Sequence, residues 1–265
     1  MDALDAFKAA QRQRWAHFAP FESHTTPSAA RLVAHARITP GERVLDVACG
    51  TGVVSVTAAR MGAHVTGLDL TPELLVRARE NAAIGGVSID FHEGDVEALP
   101  FADASFDVVT SQYGHMFAPR PAVAIAEMLR VLRPGGTIAF STWPPEVFVG
   151  RMFALVASYL PPPPAGVAAP PDWGNVDVVI ERLGSRVRDI AFDRATAFIS
   201  ALSPRHYRDN AERTSGPLIA LVESLSASDP DRLADFRRAY DALSAEYFEN
   251  NVIRQDYLMT RAIKA

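Results

Sequence analysis

Short apolar runs alternate with helix-forming stretches through the first half of the chain, and that alternation predicts a β–α–β succession. Val44, Leu45 and Val47 form the first run, as expected for a strand of a parallel sheet covered on both faces. A helix is expected over residues 53–60 and a second strand over 64–69. Thr71 is a candidate N-cap, with Pro72 at the first position of the next helix and Glu73 in its first turn. Further strands are expected at 87–92, 106–111 and 137–142. Pro134 stops the preceding helix, and Gly135 and Gly136 permit a tight entry into the last of these. Residues 178–184 predict a helix ending at Gly184, 187–198 a sixth strand and 251–263 a seventh. About fifty residues of helical pattern lie between the last two, too many for a structureless loop.

The joint between the first strand and its helix holds the densest chemistry. Gly50 and Gly52 let the backbone turn sharply and approach a ligand, and the N–H groups of the next helix face it. Asp46 sits within an apolar run and requires a partner, either a backbone donor or the ligand. The dinucleotide fingerprint needs a third glycine, and Ser55 stands there instead. Asp69 ends the second strand, where a carboxylate can accept from both ribose hydroxyls and disfavours a 2′-phosphate.

Four ordered segments resemble those of class I S-adenosylmethionine-dependent methyltransferases. They are Asp46-Val47-Ala48-Cys49-Gly50-Thr51-Gly52, the strand ending at Asp69, Gly94-Asp95-Val96 with Leu99-Pro100-Phe101 and Phe106-Asp107 after it, and Leu132-Arg133-Pro134-Gly135-Gly136. The motif pattern is most similar to the ubiquinone- and menaquinone-biosynthesis type. The resemblance implies an α/β Rossmann-like sheet of seven strands in the order 3-2-1-4-5-7-6, the seventh antiparallel, with helices on both faces and a helical cap. It implies S-adenosyl-L-methionine as methyl donor and S-adenosyl-L-homocysteine as product. It implies a cofactor site drawn from Asp46, Ala48, Cys49, Gly50, Thr51, Gly52, Asp69, Leu70, Gly94, Asp95, Val96, Ser111, Gln112, Tyr113 and Met116. Asp95 would accept from the adenine amino group, Val96 would add a backbone contact, and Tyr113 and Met116 would line the adenosyl or methyl region.

A single domain over residues 1–265 is expected: a helical N-terminal lid over 1–37, a cofactor-binding core over 38–143, a linker, helix and sixth strand over 144–203, a cap over 204–250 and the last strand over 251–265. Leu4, Phe7, Trp15 and Phe18 fit one helical face, and that helix either covers the cofactor mouth or simply packs on the domain. The prolines at 161–164 and 170–171 predict an extended linker separating the core from the C-terminal part of the chain. The helical stretch before the last strand either caps the site or mediates a homodimer.

A net charge of −5 with no run of Lys or Arg argues against nucleic acid as a partner. One cysteine excludes a disulfide framework and a cysteine-based zinc site, and no metal ligand spacing is present among the histidines. No stretch is long and apolar enough to span a membrane, the N-terminus does not resemble a signal peptide, and a cytoplasmic location is expected. The segment after the fourth strand lacks the Asn/Asp-Pro-Pro-Tyr/Phe tetrapeptide of amino-group methylation. His115 there is the candidate base, because imidazole titrates near neutrality, and His24 is a second one. Trp143 is expected as a pocket wall or a core aromatic. The partner expected is a small-molecule acceptor methylated at oxygen or carbon, an aromatic or quinone-like compound among the possibilities. A non-catalytic adenosyl-binding protein and an NAD-dependent oxidoreductase are the alternatives.

Overall fold

The computed structural model describes residues 3–265. Its sheet is built from β1 (Arg43–Val47), β2 (His64–Asp69), β3 (Asp90–Glu93), β4 (Phe106–Gln112), β5 (Leu132–Thr142), β6 (Val187–Ser200), β7 (Phe248–Glu249) and β8 (Val252–Lys264). The order is β3-β2-β1-β4-β5-β8-β6, with the two-residue β7 pairing β8 off that path. β1 to β5 are parallel, and β8 runs antiparallel between β5 and β6. This is the expected order, with β8 in the place of the seventh strand.

Side-chain alternation along the strands feeds both faces. Val44, Val65, Val108 and Ala139 pack against Leu32 and Val33 of α2 (Glu22–Ala36) and Val54 of α3 (Val53–Arg60). Leu45, Val47, Val109 and Ile138 point to the other face, where Ile125, Met128 and Leu129 of α5 (Pro121–Val131) cover them. α4 (Pro72–Ile84) closes a smaller cluster through Leu75, Ala78 and Ala82 against Phe91. Thr71 stands at its N-cap, yet the Thr71 hydroxyl makes no capping bond.

α1 (Ala3–Trp15) precedes this core and has no buried residue. α6 (Phe148–Tyr159), which the periodicity did not suggest, follows β5, and α7 (Val176–Leu183) precedes β6. The cap is three helices, α8 (Pro204–Thr214), α9 (Gly216–Ser228) and α10 (Pro230–Ala245). Two begin with a side-chain cap before proline: Ser203 Oγ accepts from His206 N at 3.0 Å, and Asp229 Oδ1 from Arg232 N at 3.0 Å. Tyr240 and Phe236 of α10, both fully buried, seat the cap against Phe148 and Tyr159 of α6.

Pro161–Pro164 lie outside any helix or strand, as an extended linker requires, but Pro170 and Pro171 do not continue it. Pro170–Gly174 form a single 3-10 turn that buries Trp173 completely against His115 and Phe140, and the Trp173 carbonyl accepts from Thr142 Oγ1 at 2.9 Å. One large aromatic side chain outweighs the extended preference of its neighbours.

Candidate active site

One cavity lies outside the C-terminal ends of β1, β2 and β4, between the sheet and the cap. The loop after β1 forms its rim. Ala48, Gly50 and Gly52 all take positive φ (51°, 55° and 76°), so the chain coils tightly before α3. At Gly52 a Cβ would lie 3.1 Å from both Ala78 Cβ and the Phe91 ring, so glycine is needed for space as well as conformation. Gly50 N donates to Asp69 Oδ2 at 2.8 Å, and Thr71 N to Asp69 Oδ1 at 2.8 Å. Asp69 thereby joins the two strand ends. Burial raises its pKa against those bonds and the further ones from the Thr71 side chain and the Leu70 backbone.

Asp46 has its partners in protein. Ser55 Oγ donates to it at 2.6 Å and Thr110 Oγ1 at 3.3 Å, and burial pushes its pKa up to about 7. The serine that stands where a dinucleotide fold has glycine is therefore the main donor to the buried acid.

The end of β4 crosses the same loop. Tyr113 takes φ 61°, and a Cβ on Gly114 would fall 2.5 Å from Ala48 Cβ. Two non-glycine residues in the left-handed region at one crossing store strain beside the cavity. Gln112 Nε2 donates to Ser28 Oγ at 2.5 Å and to the Thr25 carbonyl at 2.8 Å, tying α2 to the strand end. Glu22 holds the same helix to α4 through Asn81 Nδ2 at 2.8 Å and through Arg77. Asn81 also donates to the Thr51 carbonyl at 2.9 Å. Trp143 stacks on Tyr113 with centroids 4.1 Å apart and is a cavity wall.

Asp46, Ala48, Cys49, Gly50, Thr51, Asp69, Leu70, Gly94, Asp95, Val96, Gln112 and Tyr113 all line this cavity. Gly52, Ser111, Met116 and His115 do not line it. Gly52 shapes the loop from behind. Ser111 Oγ donates to the Val47 carbonyl at 2.7 Å and accepts from His115 N at 3.1 Å, a strand-end brace. Met116 is a core side chain 1% exposed. His115 is fully buried, its ring 4.6 Å from Phe140 and 4.7 Å from Trp173. Burial and the charge of Arg182 drive its pKa down to about 3. A base must reach the proton it removes, and this ring faces protein on all sides, so His115 loses that role here.

Residues that sequence reasoning did not single out complete the wall. Lys8 of α1 reaches Asp95 Oδ2 and Glu97 Oε2, each at 2.5 Å. Phe117, Met152 and Leu218 add apolar surface, and Tyr207, Tyr240 and Gln255 add polar groups from the cap and β8. They lie far apart in sequence, with no spacing that marks them as a set.

Residues 45–140 match a family model described as a methyltransferase domain. An uncharacterized protein of Mycobacterium tuberculosis (strain H37Rv) is 38% identical over 96% of this chain and 93% of its own length. The ubiquinone biosynthesis O-methyltransferase of Hahella chejuensis is 46% identical over 104 residues, 39% of this chain and 44% of that one. The YcgJ protein of Bacillus subtilis shares the fold with a TM-score of 0.61 at 19% identity, over 89% of this chain and 97% of that one.

Over residues 45–140 the chain is a methyltransferase domain.

Within this methyltransferase the matched segment ends in β5, so it covers the glycine loop and the three acids at 46, 69 and 95 and leaves the cap outside. The full-length similarity to the mycobacterial protein extends over nearly all of the chain, cap included. Among the described residues no helix is long and apolar enough to cross a membrane.

Proposed function

We propose that this methyltransferase transfers the methyl group of S-adenosyl-L-methionine to a small-molecule acceptor at oxygen or carbon, releasing S-adenosyl-L-homocysteine. The observation that carries it is the meeting of Asp46, Asp69 and Asp95 with the glycine loop on one side of a cavity whose other side is an apolar, aromatic wall. Asp69 lines the cavity, where its carboxylate would accept from the ribose hydroxyls, and its hold on Gly50 fixes the loop that would receive the methionyl part. Asp95 and Val96 would meet the adenine. Asp46, buried and near pKa 7, gains an incentive to ionise when a cation enters. The donor supplies an electrophilic methyl carbon on sulfonium, and the protein's part is to hold a nucleophile in line with it and exclude water. The similarity of the core to a ubiquinone-biosynthesis enzyme supports an aromatic or quinone-like acceptor.

Calorimetric titration with S-adenosylmethionine, S-adenosylhomocysteine and NAD tests the reading. Both sulfur compounds should bind, and NAD should not. NAD binding without either sulfur compound would restore the oxidoreductase reading and end this one.

A further inference from the structure

Two buried carboxylates share the glycine-loop side of the cavity, and no neighbouring cation is bound to either. Given the methyltransferase reading above, this bears on how the site tells donor from product. Asp46 lies mid-sheet in β1, opposite Gly67 of β2 and Thr110 of β4. It is 1% exposed and Asp69 is 7% exposed, and both line the cavity. The cations nearby are committed elsewhere. Lys8 on the lining is bound to Asp95 and Glu97. Arg79 of α4, whose charge reaches the Cys49 thiol, donates to the Phe91 carbonyl at 3.1 Å.

The two acids are held unequally. Asp69 accepts from the Gly50 and Thr71 amides at 2.8 Å each, and such bonds favour its charged form. Asp46 relies on Ser55 of α3, whose Oγ donates at 2.6 Å with help from its backbone N–H, and on Thr110. Thr110 Oγ1 stands 3.3 Å from Asp46 Oδ1 and 3.4 Å from the Leu45 carbonyl, and one hydroxyl proton is divided between them. The charge of Asp69 adds to the cost of a second negative charge on Asp46. The other titratable groups on the lining supply no compensation: burial keeps the Cys49 thiol protonated and the His24 ring of α2 neutral. The proton of the pair therefore resides on Asp46.

S-adenosylmethionine and S-adenosylhomocysteine share a methionyl ammonium and carboxylate and differ in charge only at sulfur. We propose that Asp46 discriminates the cationic donor from the neutral product by exchanging one proton with solvent. Asp46 loses its proton when the sulfonium seats, because a cation in the same low-dielectric space favours the carboxylate. When the acceptor takes the methyl carbon, the S–CH3 electron pair stays on sulfur, and the thioether left behind is uncharged. The acceptor's displaced proton goes to solvent. Asp46 then takes a proton back from solvent, and the attraction that held the donor is absent for the product.

The test is calorimetric titration of the full-length protein with each compound from pH 6 to 7.5, in two buffers of different ionisation enthalpy. With Asp46 at about 7 in the free protein, donor binding at pH 6.5 should release about three-quarters of a proton more than product binding. Donor affinity relative to product should rise about five- to ten-fold from pH 6 to 7.5. Asp46→Asn should remove both differences. Ser55→Ala, which keeps the acid but removes its nearest donor, should move the rise to higher pH. Equal proton counts for the two compounds in the unsubstituted protein overturn the proposal, whether or not either variant folds. A pH-dependent preference that survives in folded Asp46→Asn overturns the assignment to Asp46. Failure of both compounds to bind removes the methyltransferase reading instead.

Discussion

At Asp46 a carboxylate 1% exposed relies on two hydroxyls, and the nearer belongs to Ser55. Sequence shows Ser55 only as a missing glycine, because the donation depends on a helix turn folding back on β1. His115 illustrates the opposite error. Its place after a strand end is legible, but the aromatic ring that seals it, Trp173, arrives from a distant turn. Neither His115 nitrogen has a partner. His115→Phe should therefore keep S-adenosylmethionine binding and raise stability by about 1–3 kcal/mol. The pH dependence gives the sharper reading. With a folded pKa near 3 against an ordinary 6.5, the native state binds fewer protons than the unfolded state between those values. That contribution is complete above pH 6.5 and is lost as pH falls toward 3. Urea unfolding across this range should show the variant losing less stability than wild type, and superimposable curves would contradict the burial argument.

The helix α1 has no buried residue and is held by charge together with Trp15, whose ring packs on Phe117 with centroids 4.7 Å apart. Lys8 bridges Asp95 and Glu97, Arg12 meets Glu93 at 2.8 Å, and Gln11 Nε2 donates to the Phe117 carbonyl at 3.2 Å. Glu97 is also anchored from behind by Arg120 at 2.8 Å. The Arg12–Glu93 pair is half-exposed and screened by salt, whereas Lys8 is 16% and Glu97 1% exposed, so the inner pair is the stronger tether. Lys8→Met should speed S-adenosylhomocysteine release about three- to ten-fold, because the tie from α1 to Asp95 and Glu97 is lost. Stopped-flow displacement reads the rate, and an unchanged rate would show that α1 is no gate. The apolar runs of β1, β2 and β4 were legible because each is short, buried and bounded by turn residues, and β6 through its partial alternation. α6 was not: Gly150 and the prolines after Tyr159 interrupt its pattern. Gly150 is there because a Cβ would lie 2.2 Å from the Pro144 carbonyl oxygen.

Across the whole molecule, Trp173 joins parts that composition alone separates. It meets Phe140 of β5 and the His115 ring, and the Arg182 guanidinium of α7 lies 4.6 Å from its ring centroid. Trp173→Ala should cost about 3–5 kcal/mol by opening a cavity in the shared core. A single cooperative urea transition at lower midpoint is the expected form, whereas a loss under about 1 kcal/mol would mean that the turn is peripheral.

The long antiparallel arm made by β6 and β8 gives the cavity a ruler. From Val252 to Tyr257, β8 pairs with β6 beyond the reach of β5, and Gln255 on this stretch lines the cavity. The arm belongs to the same hydrogen-bonded sheet as Asp69, so the spacing between the two ends of the site is counted in strand residues rather than left to a hinge. The count has a parity. Ile253, Gln255 and Tyr257 are buried, while Arg254 is exposed and Asp256 is half-buried. A slip of one residue would exchange Gln255 for Arg254 or Asp256 and write a charge onto a wall that has none. For a lineage altering its acceptor, substitutions along this arm are open, but insertions or deletions of odd length are closed.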